Sequence, residues 1–152
     1  MNQEFLHDIR HIIVRDLHVV KEEVAATPEF NLWRSLPGVT NSIGTLALHL
    51  CGNLRHFIGA QLALDGYVRD RDAEFNLQNL SKTELLQLID DSISAIDIAL
   101  NIIKPEDLDQ PMPQPPPHHA GRSVRFFLIQ LSCHLSRHTG QMNYLRRILS
   151  AS

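Results

Sequence analysis

Proline decides where helices can run in this chain. Its ring fixes φ and removes the backbone N–H, so a proline breaks a helix anywhere beyond its first turn. Six of the eight prolines crowd into residues 104–121, among them the run Pro111-Met112-Pro113-Gln114-Pro115-Pro116-Pro117. That stretch cannot sustain helix or central strand and is expected to be a long extended connection. Around it the apolar residues recur at helical spacing. Phe5, Ile9, Ile12, Ile13, Val20 and Val24 predict an amphipathic helix over about residues 2–26, stopping before Pro28. Asn41 or Ser42 can cap a second helix whose inner stripe is Ile43, Leu46, Leu50, Leu54, Phe57, Ile58 and Leu62, with Gly66 ending it. Ser81 and Glu84 make a capping box for a third, carrying Leu85, Ile89, Ile93, Ile96, Leu100 and Ile103 up to Pro105. A last helix over about Ser123–Leu149 turns Phe127, Leu131, Leu135, Met142, Leu145 and Leu149 to one side and ends on Arg146 and Arg147, where the macrodipole favours cations. The charged segment Arg69–Phe75 has neither periodicity and is read as a loop. No repeat or strand pattern competes, so the fold class is all-α: a four-helix bundle forming a single domain over residues 1–152. The proline-rich connection between the third and fourth helices allows a topology other than plain up-down-up-down.

A chain of 152 residues can bury a core without staples. No apolar run approaches the roughly 20 residues needed to cross a bilayer, and the N-terminus carries no secretory signal pattern. A cytoplasmic protein without a membrane partner is expected. Net charge is −3 and no Lys/Arg stripe is present, so the electrostatic footprint of a nucleic-acid binder is missing. Cys51 and Cys133 do not form a metal-type pair and are read as buried thiols.

Nine histidines are the unusual feature. At about 100° per residue, His7, His11 and His18 fall within about 40° of one another and opposite Phe5, Ile9 and Ile12, which predicts a solvent-facing stripe. His134 and His138, four apart, point the same way as Phe127, Leu131 and Leu145, so they face inward. Two neutral imidazoles one turn apart can share one ion. On the second helix His49, Asn53 and His56 line the edge of the apolar stripe, and either His49 or His56 can supply a third ligand from across the bundle. His118 and His119 fall in the proline-rich segment and are expected to be solvated. Gln130 and Gln141 flank the histidine pair.

Two stretches resemble a known family. Asn41-Ser42-Ile43-Gly44, His49 through Arg55, Asp65-Gly66 and Arg69 through Phe75 form one; His134-Leu135-Ser136-Arg137-His138-Thr139-Gly140-Gln141 through Arg147 forms the other. Together they resemble the DinB-like superfamily of metal-binding four-helix bundles, to which the bacillithiol S-transferases and mycothiol-dependent maleylpyruvate isomerases belong, and within it a subgroup of unknown function. The resemblance implies one divalent ion, zinc, nickel or iron, on His49, His134 and His138. It also implies a homodimer. Three histidines leave an open coordination position, the mark of a catalytic site. The relatives imply a low-molecular-weight thiol such as bacillithiol as cofactor and a small electrophile as substrate, hence a metal-dependent S-transferase or a related hydrolase or isomerase. The alternative is a non-catalytic metal-binding stress-response or sensor domain. Asn53, Arg55, Arg69 and Arg71 are the candidate substrate-binding residues, since arginine suits bidentate contact with carboxylates. Against that role for the arginines stands an internally paired segment in which Asp70, Asp72 and Glu74 neutralise them.

Overall fold

A computed structural model describes residues 1–151. Four long helices and one short one carry the fold: α1 Asn2–Ala26, α2 Ile43–Leu54, α3 Arg71–Asn76, α4 Lys82–Ile102 and α5 Val124–Ser150. The caps sit where hydroxyl side chains allow them. Ser42 accepts from the Thr45 N–H at 3.1 Å and Ser123 from the Phe126 N–H at 3.2 Å. Ser81 and Glu84 close both bonds of the capping box at the start of α4. The predicted stripes turn inward, except at Ile12, which is half-buried outside the core; Ile13, Leu17, Ile43, Leu50, Ile89, Ile96 and Leu135 are fully enclosed in it.

Two local features depart from the sequence reading. The segment read as a loop at Arg69–Phe75 contains α3, capped by Asp70, whose carboxylate accepts from the Ala73 N–H at 3.0 Å. Six residues are too few to show an apolar stripe, so a helix this short leaves no periodic signal. Beyond Leu54, α2 widens into a π-helical stretch, Arg55–Leu62, that ends at Leu62, just before Leu64, whose φ of 54° is left-handed, rather than running on to Gly66. The proline-rich segment is extended apart from two single 3₁₀ turns, Pro105–Asp107 and Pro117–His119. Gln61 clamps it by reciprocal bonds to the Gln114 backbone, both 3.1 Å.

The interhelix contacts fix the directions. Arg10 meets Asp97 and Lys21 meets Asp90, so α1 and α4 run antiparallel. Arg125 donates to Asn2 while Asn143 and Arg146 donate to Glu23, so α1 and α5 run parallel. Leu46 and Leu145 share a groove, and Phe57 packs on Phe127 with ring centroids 5.4 Å apart, which makes α2 antiparallel to α5. The bundle is therefore up-down-down-up. It is the charged connection from α2 to α4, not the proline-rich one, that travels back along the bundle, and it carries Arg69 and Glu74 past α2.

No described helix is long and apolar enough to cross a membrane. Cys51 is buried, its thiol pushed up to about 12 by desolvation. Cys133 is exposed, contrary to the expectation for it: it neighbours His134 on α5 but turns to the outer side.

Candidate metal centre

Antiparallel packing sets which histidines meet. With Phe57 level with Phe127, His49 lies eight residues back along α2, or about 12 Å at 1.5 Å per residue, and comes opposite the interval between His134 and His138 on α5. His56 stands on the same face, level with the start of α5, about 9 Å short of His134 by the same count. It is occupied otherwise: its Nε2 accepts from Gln61 at 3.1 Å, the residue that clamps the proline-rich segment. The structure therefore brings His49, and not His56, to the pair.

The three rings converge through their Nε2 atoms. His49 Nε2 lies 3.3 Å and His138 Nε2 3.1 Å from His134 Nε2. Two imidazoles bound tetrahedrally at 2.0–2.1 Å from one zinc would place their nitrogens about 3.3–3.4 Å apart. The spacing is that of ligands sharing an ion, and the three residues form a group that can hold one.

Proton placement supports the fit. Glu74 Oε1 lies 3.1 Å from His49 Nδ1, and a carboxylate can only accept, so in the neutral ring that nitrogen carries the proton and Nε2 keeps its lone pair. Gln141 Oε1 does the same for His138 Nδ1 at 2.6 Å. Two lone pairs thus point at His134 Nε2, which can donate to only one of them. A cation satisfies all three. Burial, then the neighbouring His138 and His49, push His134 down to about 4, and burial also lowers His138, so both are neutral near pH 7. Neutral imidazole is the metal-binding form. The Nδ1 atom of His134 is buried without a partner among the described residues.

Around the centre stand two residues of the charged segment, Phe75 and Glu74, the latter offered by the sequence only as an ion-pair partner for the arginines. Glu74 is 6% exposed and takes two bonds of 2.7 Å from Arg69. Burial works against its ionisation, and the hydrogen bonds from Arg69 and His49 outweigh it and lower its pKa. The Phe75 ring lies 5.1 Å from the His49 ring. No local pattern marks Glu74: the 25 residues separating it from His49 are bridged only by the returning connection.

The four candidate substrate-binding residues separate. Arg69 is spent on Glu74. Arg55 lies over the Tyr67 ring at 4.4 Å and 4.0 Å from Asp65, lining a groove of about 510 Å³ between α2 and α4, away from the three rings. Arg71 is exposed above Phe75, 5.1 Å from its centroid, and has no acidic partner among the described residues. Asn53, one turn from His49, has a buried Oδ1 without a partner among the described residues. His7, His11 and His18 are exposed on α1, as their phase requires. His118 is exposed as expected, but His119 is half-buried against Phe126 and Phe127.

No curated protein matches this chain. Over its full length, residues 1–152, the chain matches the family described as protein of unknown function (DUF1572), and it belongs to that family.

Proposed function

We propose that this protein is a DinB-like metal-dependent enzyme that joins a low-molecular-weight thiol to a small electrophile, working from one divalent ion on His49, His134 and His138. The observation that carries the reading is the convergence of three Nε2 atoms within 3.1–3.3 Å of one another along two edges, with the outer nitrogens of His49 and His138 already engaged. A divalent ion there supplies Lewis acidity, drawing the pKa of a thiol or water in its open position towards or below neutrality.

The chain's own residues do the remainder. Glu74 and Gln141 hold two rings in the tautomer and orientation that ligation needs. Arg71, exposed over the Phe75 ring that packs beside His49 and without an acidic partner among the described residues, serves to hold a carboxylate of the incoming thiol. Asn53 offers a buried carbonyl oxygen to a donor on the bound molecule. Arg69 and Arg55 have other duties, so the site binds anions through fewer arginines than the sequence offers.

Elemental analysis of protein purified without a polyhistidine tag tests the first half: about one equivalent of zinc, nickel or iron is expected, and loss of it in His134→Ala. Thiol consumption with bacillithiol, mycothiol and glutathione against a generic electrophile tests the second. Metal-dependent turnover with one of the three is the expected result. A fully loaded protein that turns over none of them refutes the transferase and leaves a metal-binding protein without this activity.

A further inference from the structure

Glycine inside a helix costs backbone entropy that alanine would not, so a glycine in mid-helix calls for a local reason. Gly52 in α2 has one. A Cβ built on it would fall 2.1 Å from Glu74 Oε2 and 2.7 Å from its Cδ. The Glu74 carboxylate lies directly on the bare helix backbone, one turn from His49, and this close seat lets it face two ways. One oxygen, Oε1, takes His49 Nδ1 at 3.1 Å and Arg69 at 2.7 Å; the other, Oε2, takes Arg69 Nε at 2.7 Å. His49, Glu74 and Arg69 are 12%, 6% and 12% exposed, so all three are sheltered from competing water.

We propose that Gly52, Glu74 and Arg69 form a clamp that fixes which ring nitrogen of His49 faces the metal centre, with Glu74 as the positioning residue. The proposal rests on the metal-centre reading above and adds to it the cause of the His49 orientation. The logic is one of alternatives. Unclamped, His49 can carry its proton on Nε2, and that proton would then point at His134 and block ligation. An ionised carboxylate on Nδ1 removes this form. Arg69 holds the carboxylate in place from the far side and balances its charge, so that the clamp brings no net charge to the ion. Gly52 supplies the space. The atoms that a Cβ would strike belong to the end of a flexible side chain, so Gly52→Ala is accommodated by moving the Glu74 carboxylate off His49 rather than by breaking the helix.

The test uses the full chain, with and without zinc. Long-range ¹⁵N–¹H spectra of the metal-free protein show which nitrogen of each histidine carries the proton. His49 in the wild type is expected as Nδ1–H. Gly52→Ala is expected to move it towards Nε2–H and to weaken zinc binding by about 10–100-fold in chelator competition, as loss of an outer-shell partner does. Glu74→Leu deletes the carboxylate outright and gives the same two changes, which covers the case in which the alanine variant fails to fold. The proposal is overturned if His49 keeps its Nδ1–H form in a folded variant, or if the tautomer changes while zinc affinity stays at the wild-type value. A wild-type chain that binds no zinc on the three histidines overturns the metal-centre reading instead; the tautomer spectrum still decides whether Glu74 orients His49.

Discussion

Acid should weaken metal binding in this protein less than it weakens an ordinary three-histidine site. Protons compete for the ligand nitrogens, so each histidine divides the apparent affinity by one plus the ratio of its protonated to neutral forms. At pH 5.5 a histidine of ordinary pKa, about 6.5, divides it by about 11, and three together by about 10³. His134 departs from that value. Buried and facing two other imidazoles, it is pushed down to about 4, so at pH 5.5 only about 3% of it is protonated and its divisor is close to one. With His134 contributing almost nothing, the loss is about 10-fold smaller than at that ordinary site, and the lowered His138 reduces it further. Chelator competition for zinc at pH 7.5, 6.5 and 5.5 measures it. The expected fall is below about 100-fold over that range, with a slope of fewer than two protons per ion. A 10³-fold fall with three protons per ion would refute the reasoning, because it would mean that His134 titrates as an exposed histidine.

His49→Ala should abolish metal binding while His56→Ala leaves occupancy unchanged, since the His56 ring is held by Gln61; equal loss in both variants, measured by elemental analysis, would contradict the ligand set. Gly44→Ala should cost about 1–3 kcal/mol through overpacking, less roughly 1 kcal/mol returned by helix propensity, because its Cβ would fall 2.5 Å from the Trp33 ring. Denaturant unfolding measures that cost, and Trp33, the only tryptophan, should report displacement of the indole from its 3.0 Å bond to the Leu80 carbonyl. Burial of Glu23 opposes its ionisation, but Arg146 and Asn143 overcome this and lower its pKa. An ionised Glu23 therefore adds stability above its unfolded value of about 4.5, which is lost as the pH falls through the lower folded value. The stability gap between wild type and Glu23→Gln should accordingly narrow from pH 7 to pH 3, and a constant gap would argue against the ion pair.

The helices themselves were written locally. Stripes such as Leu85, Ile89, Ile93 and Ile96, a capping box at Ser81 and Glu84, and prolines at 28 and 105 act over one or two turns, so residues close in sequence determine them. Helical phase likewise turned His134 and His138 inward and His7, His11 and His18 outward. Phase does not separate His49 from His56, because seven residues return to within about 20° of the same face. Resemblance to a family favoured His49; the physical discriminator is its level along an antiparallel neighbour, which no residue on α2 encodes. The up-down-down-up order and the seat of Glu74 on Gly52 are decided at the same tertiary level. They arise when the connection after α2 runs back along the bundle, and each joins groups whose energies depend on distance in space rather than separation in sequence.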